Sequence, residues 1–329
     1  MGIAVPFPTS RPPGYEWLDD EPAFDPERHL QLEEPAEILH LTDLGYSSEE
    51  IANKATPVAA SSPFRVLSDE GAAVMLEVAR RLRVHARAAG ERIENTVRGG
   101  CYRSQWLRDL CISQDVTAHL EAIYGLAIAP HPMPVHLGHL NYEPSAIDTA
   151  VDKWHHDTLP LDYVLAVSDP ATIDGGRFQY FLGTKAEAAE LAAAGRTPPE
   201  DRIVTPDVPG PGHAIALHGD MVVHRAGPLH SVGERISMVN GYVSLDPTHD
   251  EQSRSVDLIG VDDPTLLWAE WAGMAAWRSR GRLEAVLERL PFTDDREAVI
   301  AELEWALADA TKAIDEMRGG PVAISHYGG

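Results

Sequence analysis

Three side chains that bind metal ions, followed by an arginine, are the most informative residues of the sequence. His155 and Asp157 form a His-x-Asp triplet, and His224 lies well downstream, before Arg235. Two histidines and one carboxylate on one face of a metal ion leave three coordination positions open, as in non-heme Fe(II) oxygenases. An arginine beyond the second histidine can bind a dicarboxylate through paired hydrogen bonds. The residues therefore predict an Fe(II) site with room for 2-oxoglutarate and O2.

A second His-x-Asp triplet, His218-Gly219-Asp220, means that the triplet alone does not identify the site. This second triplet falls in a tight turn between two predicted strands, where aspartate is a common turn residue. The histidines far downstream of it, His249 and His326, are not followed by a matching arginine. We therefore expect the ligands to come from the first triplet, which precedes a strand-like run.

His224 and His230 compete for the third ligand position. His224 ends a strand-like run, whereas His230 lies in the following loop, closer to Arg235. A strand holds a ligand more rigidly than a loop does, which favours His224. Arg235 and Ser237 lead into a further strand, and residues two apart on a strand point to the same face. We therefore expect both side chains to reach one carboxylate of the co-substrate.

Composition limits the class of protein. The chain has 329 residues, 44% of them hydrophobic, which suffices for one large β domain with added helices. The formal net charge of −24 repels phosphate backbones, so we expect no nucleic-acid partner. Two cysteines, Cys101 and Cys111, argue against a disulfide framework and suit a reducing cytoplasm. Without a recognisable signal peptide or a long apolar run, the predicted location is cytoplasmic, away from membranes.

The sequence divides into four regions of a single domain. They are an N-terminal arm (residues 1–67) with a short helix around Glu34–Leu44, a helical support (68–130), a strand-rich core (131–248) and a helical extension (249–329). In the core, short runs of alternating polarity, separated by Gly, Pro and Asp, predict a sandwich or jelly roll. Four of the seven tryptophans lie in the C-terminal helices. These predict packing against the core or, alternatively, a homodimer interface, where aromatic residues are favoured.

Residues 131–245 resemble the phytanoyl-CoA dioxygenase-like branch of the Fe(II)/2-oxoglutarate-dependent oxygenases. The resemblance covers about a third of the chain and rests on Trp154–Asp157, Asp174–Phe178, Phe181–Thr184, Leu217–Gly219, His224–Pro228 and Arg235. It implies a double-stranded β-helix, mainly β with flanking helices, in which the two histidines and Asp157 hold iron. It also implies that Arg235 holds 2-oxoglutarate, aided by a polar residue before the triplet, either Asn141 or Tyr142.

The retained carboxylate of Asp157 carries a further implication of the resemblance. In halogenases built on the same scaffold, glycine or alanine replaces this carboxylate so that chloride can bind the iron. The resemblance therefore implies hydroxylation, or a related oxidation such as desaturation, at a C–H bond of a small molecule. Succinate and CO2 would be the products of the co-substrate.

Candidate substrate contacts are less sharply defined. Arg98, Tyr102 and Arg103 belong to a local basic cluster in an acidic chain, and arginine binds carboxylates well. Trp154 and Arg225 stand next to the metal-ligand candidates. These residues predict a small-molecule substrate, which can be anionic. The other interpretation is that the arginines pair with surface acids.

Two other function classes fit parts of the sequence. A cupin-like metal enzyme that does not use 2-oxoglutarate could share the strands and the metal, but it has no use for Arg235 and Ser237. A non-catalytic binding protein on the same barrel would show no turnover. A second metal site at His131, His136 and His139 is not expected, since on one strand His136 faces away from the other two.

Overall fold

The computed structural model describes residues 7–322 and 326–327. Within them the α-helices are, in chain order, α1 (Pro26–His29), α2 (Ser48–Ile51), α3 (Asp69–Leu82), α4 (Gln105–Cys111), α5 (Gln114–Tyr124), α6 (Lys185–Ala193), α7 (Pro264–Arg289) and α8 (Arg296–Arg318). The strands are β1 (Ile38–His40), β2 (Val58–Ser61), β3 (Phe64–Arg65), β4 (Arg87–Ala89), β5 (Ile93–Val97), β6 (Ile128–Pro130), β7 (His139–Asn141), β8 (Ala150–His155), β9 (Leu161–Ala166), β10 (Phe178–Phe181), β11 (Ile203–Val204), β12 (His213–Leu217), β13 (His224–Pro228) and β14 (Ser237–Ser244). Short 3-10 helices occur at Leu41–Leu44, Arg83–His85, Gly100–Tyr102, Pro134–His136, Pro170–Thr172 and Glu200–Arg202.

The strands form two antiparallel sheets with helices packed around them. The larger sheet follows the order β1-β2-β12-β9-β14-β7-β5-β4, with β3 also paired to β12 and β6 to β14. The smaller sheet follows the order β11-β10-β13-β8. The coarse fold prediction, mainly β with flanking helices, is thus confirmed.

Strands β1 to β6 all precede residue 131, where the sequence pattern predicted an arm and helices but no strand. The predicted short helix near residues 34–44 is wrong, because Ile38–His40 is a strand that a 3-10 helix follows. This strand pairs with β2, and β2 pairs with β12, so tertiary pairing overrides the local preference. Strands of two to five residues also carry too little alternation to be recognised in a sequence.

The two faces of the larger sheet differ because side chains alternate along a strand. Leu140, Leu165 and Met238 belong to a large apolar core shared with α3, α4 and α5. Their sequence neighbours Asn141 and Ser237 point the other way and line a pocket that the smaller sheet closes. Helices therefore bury one face of the sheet and leave the other available for polar side chains.

The C-terminal helices α7 and α8 pack on each other and on the end of the larger sheet. Leu267, Trp271 and Met274 of α7 form an apolar cluster with Val135 and Val243. This contact agrees with the packing interpretation of the tryptophans, and the homodimer stays a prediction. Among the described residues, the helices lack the combination of length and apolar character that crossing a bilayer requires.

Gly138 tests how tightly the sheet is packed just before β7. Its φ is +61°, and a Cβ there would lie 2.8 Å from Cγ of Leu107. We expect Gly138→Ala to lower the free energy of unfolding by about 2–5 kcal/mol, from left-handed strain plus overpacking. Urea denaturation would measure this loss and compare it with the loss in a control variant, Gly125→Ala. The φ of Gly125 is +73°, and a Cβ there would have no described atom within 4 Å. Equal losses in the two variants would show that packing at Gly138 contributes nothing.

Candidate metal centre and its pocket

Two neighbouring strands of the smaller sheet bring the metal-ligand candidates together. His155 ends β8, His224 begins β13, and the two are register partners in the antiparallel pair. Asp157 follows β8 in a loop, where its N–H donates to the carbonyl of Gly219 at 2.8 Å. One ligand atom from each of the three side chains lies within 4.8 Å of the others. These side chains can therefore hold a single metal ion between them, at the wall of one pocket.

Backbone carbonyls orient both imidazole rings. Nδ1 of His155 lies 2.6 Å from the carbonyl oxygen of Lys153, and Nδ1 of His224 lies 2.9 Å from that of Val222. A carbonyl only accepts, so each Nδ1 carries the proton and the lone pair of a neutral ring lies on Nε2. The Nε2 atoms lie 3.4 Å and 3.5 Å from the two carboxylate oxygens of Asp157. The lone pairs thus converge where a cation would sit.

The pKa values of the three groups follow from burial and their mutual contacts. Burial lowers the pKa of His155. Burial opposes the charged form of Asp157, but its contacts with the Nε2 atoms of the two histidines outweigh burial and hold the carboxyl pKa well below its usual range. Burial also opposes a charged His224, yet the hydrogen bond and charge of Asp157 raise its pKa. A proton on His224 therefore neutralises Asp157, and a metal ion would displace that proton.

The competing candidates lie elsewhere. His230 is exposed in a loop, where its Nδ1 lies 2.8 Å from a carboxylate oxygen of Asp148. In the second triplet, Nδ1 of His218 lies 2.9 Å from Asp220, which also pairs with Lys54 at 3.2 Å. That triplet therefore belongs to a buried ion-pair cluster, whereas the first triplet meets His224.

The predicted co-substrate residues Arg235 and Ser237 lie in the same pocket as the metal-ligand candidates. Arg235 is 8% exposed, and its guanidinium donates from Nε to the carbonyl of Gly176 at 3.0 Å and from Nη1 to Oγ of Ser237 at 2.7 Å. Burial lowers the pKa of Arg235 to about 10, which still leaves the group charged at neutral pH. The pocket therefore holds a fixed cation whose Nη2 atom has no described partner.

Alternating side-chain directions separate the two candidates at the end of β7, where Asn141 is the last strand residue and Tyr142 follows it. Asn141 lines the pocket opposite Ser237, its register partner. Tyr142 faces the helices instead, and its hydroxyl donates to the carbonyl of Ala79 at 2.7 Å. Tyr142 therefore does not reach the pocket, and the prediction for it is corrected. Asn141 stays a candidate for contact with the co-substrate.

The predicted basic cluster divides at the 3-10 helix that follows Arg98. Arg98 lines the pocket. Tyr102 is turned toward α7, where its hydroxyl donates to a carboxylate oxygen of Glu270 at 2.9 Å. The guanidinium of Arg103 lies 4.1 Å from the ring centroid of Tyr15, near the N-terminal segment. The turn of the backbone thus removes Tyr102 and Arg103 from the predicted substrate contacts.

Trp154 and Arg225 contact each other, and of the two only Arg225 also borders the pocket. Each is the sequence neighbour of a metal-ligand candidate, so alternation points it to the opposite face of the smaller sheet. The ring of Trp154 is fully buried, with the Arg225 guanidinium 4.5 Å above its centroid. Arg225 borders the pocket, but its Nε donates to Oε1 of Gln179 at 2.7 Å. This geometry corrects Trp154 as a substrate contact and leaves Arg225 at the rim.

Further lining residues were not singled out from the sequence. His136 and His139 line the pocket beside Asn141. His139 lies two residues before Asn141 on the same strand, so the two side chains face the same way. The position of Asn141 could therefore have predicted that His139 lines the pocket. Arg92, from the turn between β4 and β5, has its Nε 3.0 Å from Asp152 and also lines the pocket. Its short flanking strands gave no sequence signal.

Alanine at His224 tests the choice of third ligand. Residues that only support a metal ligand are worth about 10- to 100-fold in affinity, so losing a ligand should cost at least about 100-fold. We expect His224→Ala to lose Fe(II) affinity on that scale in an anaerobic chelator competition. His230→Ala, the matched control in the exposed loop, should bind as the parent protein does. Loss in the control instead would reassign the third ligand to His230.

Metal affinity should fall in acid, because protons and the metal compete for the same imidazole nitrogens. His224 has the raised pKa of the pair, so it takes up its proton first as the pH falls. Below that pKa we expect the Fe(II) dissociation constant to rise about tenfold per pH unit, as single-proton linkage requires. Chelator competition between about pH 8 and about pH 5 would measure the slope. A flat profile would contradict a histidine ligand with this pKa.

Comparison with known proteins gives structural similarities but no family assignment. Neither a protein-family model nor a curated protein sequence matches the chain. AviO1 from Streptomyces viridochromogenes Tue57 is 16% identical, with a TM-score of 0.44, over 66% of this chain and 100% of that one. The epimerase SnoN, in complex with Fe3+, alpha ketoglutarate and nogalamycin RO, is 19% identical, with a TM-score of 0.41, over 65% and 94%. EctD from S. alaskensis, with 2-oxoglutarate and 5-hydroxyectoine, is 15% identical, with a TM-score of 0.41, over 75% and 92%. At such low sequence identities and TM-scores, the activities of these proteins are not transferred to this chain.

Proposed function

We propose that this protein is a non-heme Fe(II)- and 2-oxoglutarate-dependent dioxygenase that oxidises a C–H bond of a small molecule. The observation that carries the proposal is the meeting of two ligand sets in one pocket. His155, Asp157 and His224 converge on one point, and Arg235 with Ser237 lies in the wall of the same cavity. Two neutral histidines and a carboxylate suit iron, and a buried guanidinium suits a dicarboxylate.

The donor set fits the proposed groups in its chemistry. Both imidazoles present Nε2 lone pairs, and the ionised Asp157 contributes one negative charge. This set of ligand atoms suits a divalent cation. Three protein ligands leave coordination positions for the co-substrate and O2. Bound iron and 2-oxoglutarate would supply the oxidising chemistry, with succinate and CO2 as products of the co-substrate.

The residues of this chain perform the binding and orienting steps. Arg235 binds the free carboxylate of the co-substrate, and Ser237 holds the guanidinium in place through its 2.7 Å hydrogen bond. Asn141 lies in register with Ser237 and can contact the same ligand. The carbonyl of Gly176 fixes Nε of the guanidinium, so little reorientation is needed on binding.

The finer parts of the proposal rest on the motif resemblance. A double-stranded β-helix is the arrangement that this resemblance implies for the two antiparallel sheets. The phytanoyl-CoA dioxygenase-like branch is the proposed family, and the protein is proposed to act in the cytoplasm. Asp157 keeps the carboxylate in the ligand set, which favours hydroxylation or desaturation over halogenation.

An anaerobic spectroscopic titration tests the proposal. Fe(II) followed by 2-oxoglutarate should produce a weak visible charge-transfer band that needs both additions. Truncating one partner of a buried charge pair costs about 2–5 kcal/mol, so Arg235→Ala should need about 30-fold more 2-oxoglutarate or beyond. Arg196→Ala, at an exposed loop position, should titrate like the parent protein.

The other outcomes separate the competing functions. Tight Fe(II) binding with no band at any co-substrate concentration would replace the proposal with a cupin-like metal enzyme. Absence of metal binding would leave a protein that uses the same scaffold only for recognition. An unchanged 2-oxoglutarate requirement in Arg235→Ala would mean that another residue anchors the co-substrate.

A further inference from the structure

The pocket contains a second set of polar side chains that the proposed cofactors do not use. Arg98, His136 and His139 line it together, and we call them the donor wall. His136 is 5% exposed and His139 is 9% exposed, yet Nε2 of each makes no hydrogen bond with any described residue. Buried polar atoms are paired in most proteins, so two such atoms in one pocket wall indicate a ligand that completes them.

The tautomer of His136 makes its free nitrogen a donor. Nη2 of Arg98 lies 3.4 Å from Nδ1 of His136. A guanidinium only donates, so Nδ1 of His136 is the acceptor in this contact. Burial, together with the charges of His131 and Arg98, lowers the pKa of His136 well below its usual range, so the ring is neutral. The single ring proton therefore lies on Nε2 and is available to an oxygen acceptor.

The donor wall also carries the positive charge of Arg98. Nε of Arg98 lies 2.7 Å from a carboxylate oxygen of Asp262, and Nη2 of Arg87, whose side chain is 44% exposed, lies 3.5 Å from the same oxygen. Asp262 is thus shared between a pocket arginine and a surface arginine. Burial raises the pKa of nearby Glu270 to about 8, which weakens the negative charge that this acid adds near Arg98.

Two other pocket arginines have acids of their own. Arg92 pairs with Asp152 at 3.0 Å, and Arg254 pairs with Asp257 at 2.8 Å. Arg225, at the rim, donates to the neutral side chain of Gln179 and pairs with no described carboxylate. The guanidinium of Arg98 is paired with Asp262 but lies in the pocket wall, where its charge and N–H groups add electrostatic attraction to the free hydrogen-bond donor of His136.

The remaining lining gives the shape and polarity of the rest of a ligand. Ala89, Ile93 and Val261 form a small apolar cluster that faces the pocket, and Leu258 lies beside them. The cavity is partly open to solvent. Apolar side chains with a few placed donors are typical of sites for compact organic ligands.

We infer that the donor wall binds the carboxylate of the substrate, which is an amphiphilic monocarboxylate with its apolar part against the Ala89 cluster. This inference rests on the proposed function, since it assigns the substrate class of the same pocket. His136 donates from Nε2, Arg98 supplies charge and further N–H groups, and His139 lies beside them.

Calorimetry with a matched pair of probes tests the inference. Phenylacetate and phenylacetamide differ in the carboxylate alone, and the protein is loaded anaerobically with Fe(II) and saturating 2-oxoglutarate so that the Arg235 site is filled. We expect phenylacetate to bind about tenfold more tightly, or more, than the amide. His136→Phe and the double variant Arg98→Gln/Asp262→Asn should each lose this preference.

The controls keep the result interpretable. The double variant removes both members of the buried ion pair, and Arg87, the other partner of Asp262, has a side chain that is 44% exposed, so no buried charge is left without a partner. Arg254→Gln changes another pocket arginine and should leave phenylacetate affinity within about twofold, since Asp257 already balances that charge. Equal affinity for acid and amide would overturn the carboxylate class, and loss of binding only in Arg254→Gln would overturn the donor wall.

The charge-transfer band separates failure of the inference from failure of the proposed function. If the parent protein shows the band but binds neither probe, the substrate inference falls while the dioxygenase proposal stands. If the band is absent, the dioxygenase proposal falls. The same titration of the metal-free protein, with and without His136→Phe, then decides whether the donor wall binds carboxylates.

Discussion

The antiparallel pairing of β8 with β13 is the constraint on which the candidate site depends. Its register sets His155 opposite His224, and a slip of one residue would turn one imidazole to the opposite face. Asp157 lies beyond the end of the pair, so a separate contact with Gly219 positions it. A Cβ at Gly219 would lie 2.4 Å from Oδ2 of Asp162, so only glycine allows this approach. The glycine of the second His-x-Asp triplet thus helps to position the first.

The larger sheet adds the second half of the site through the same alternation that builds its core. On β14, Met238 packs among the helices while Arg235 and Ser237, on the approach to and start of the strand, face the pocket. Helices cover one face of the larger sheet, and the apolar burial on that face stabilises the sheet. The opposite face can therefore carry the buried charge of Arg235. Gly176 and Ser237 supply the hydrogen bonds that a buried guanidinium requires.

The metal site could be predicted from residue type and spacing, because few kinds of side chain bind metal ions and a strand holds its residues at a regular spacing. The sequence did not show equally well which face of the sheet each side chain points to. Asn141 ends β7 and Tyr142 follows it, and only the packing of the helices decides which of them reaches the pocket. Trp154 and Arg225 look like site residues by proximity in sequence, but they stack on each other, and only Arg225 reaches the rim of the pocket. An early strand such as β3, which has two residues, is stabilised by pairing with β12. A local sequence pattern does not show such pairing.

The charges of the pocket also explain why so acidic a chain keeps arginines inside. Arg92 and Arg254 each have a carboxylate partner. In the proposed complex a divalent ion balances a dicarboxylate, and Asp157 balances Arg235. Arg98 pairs with Asp262, whose other partner, Arg87, is exposed to solvent, and Arg225 donates to the neutral side chain of Gln179. Arg225 therefore has no described carboxylate partner, and its charge, the guanidinium of Arg98 and the unpaired Nε2 of His136 together favour an anionic ligand in a protein of net charge −24.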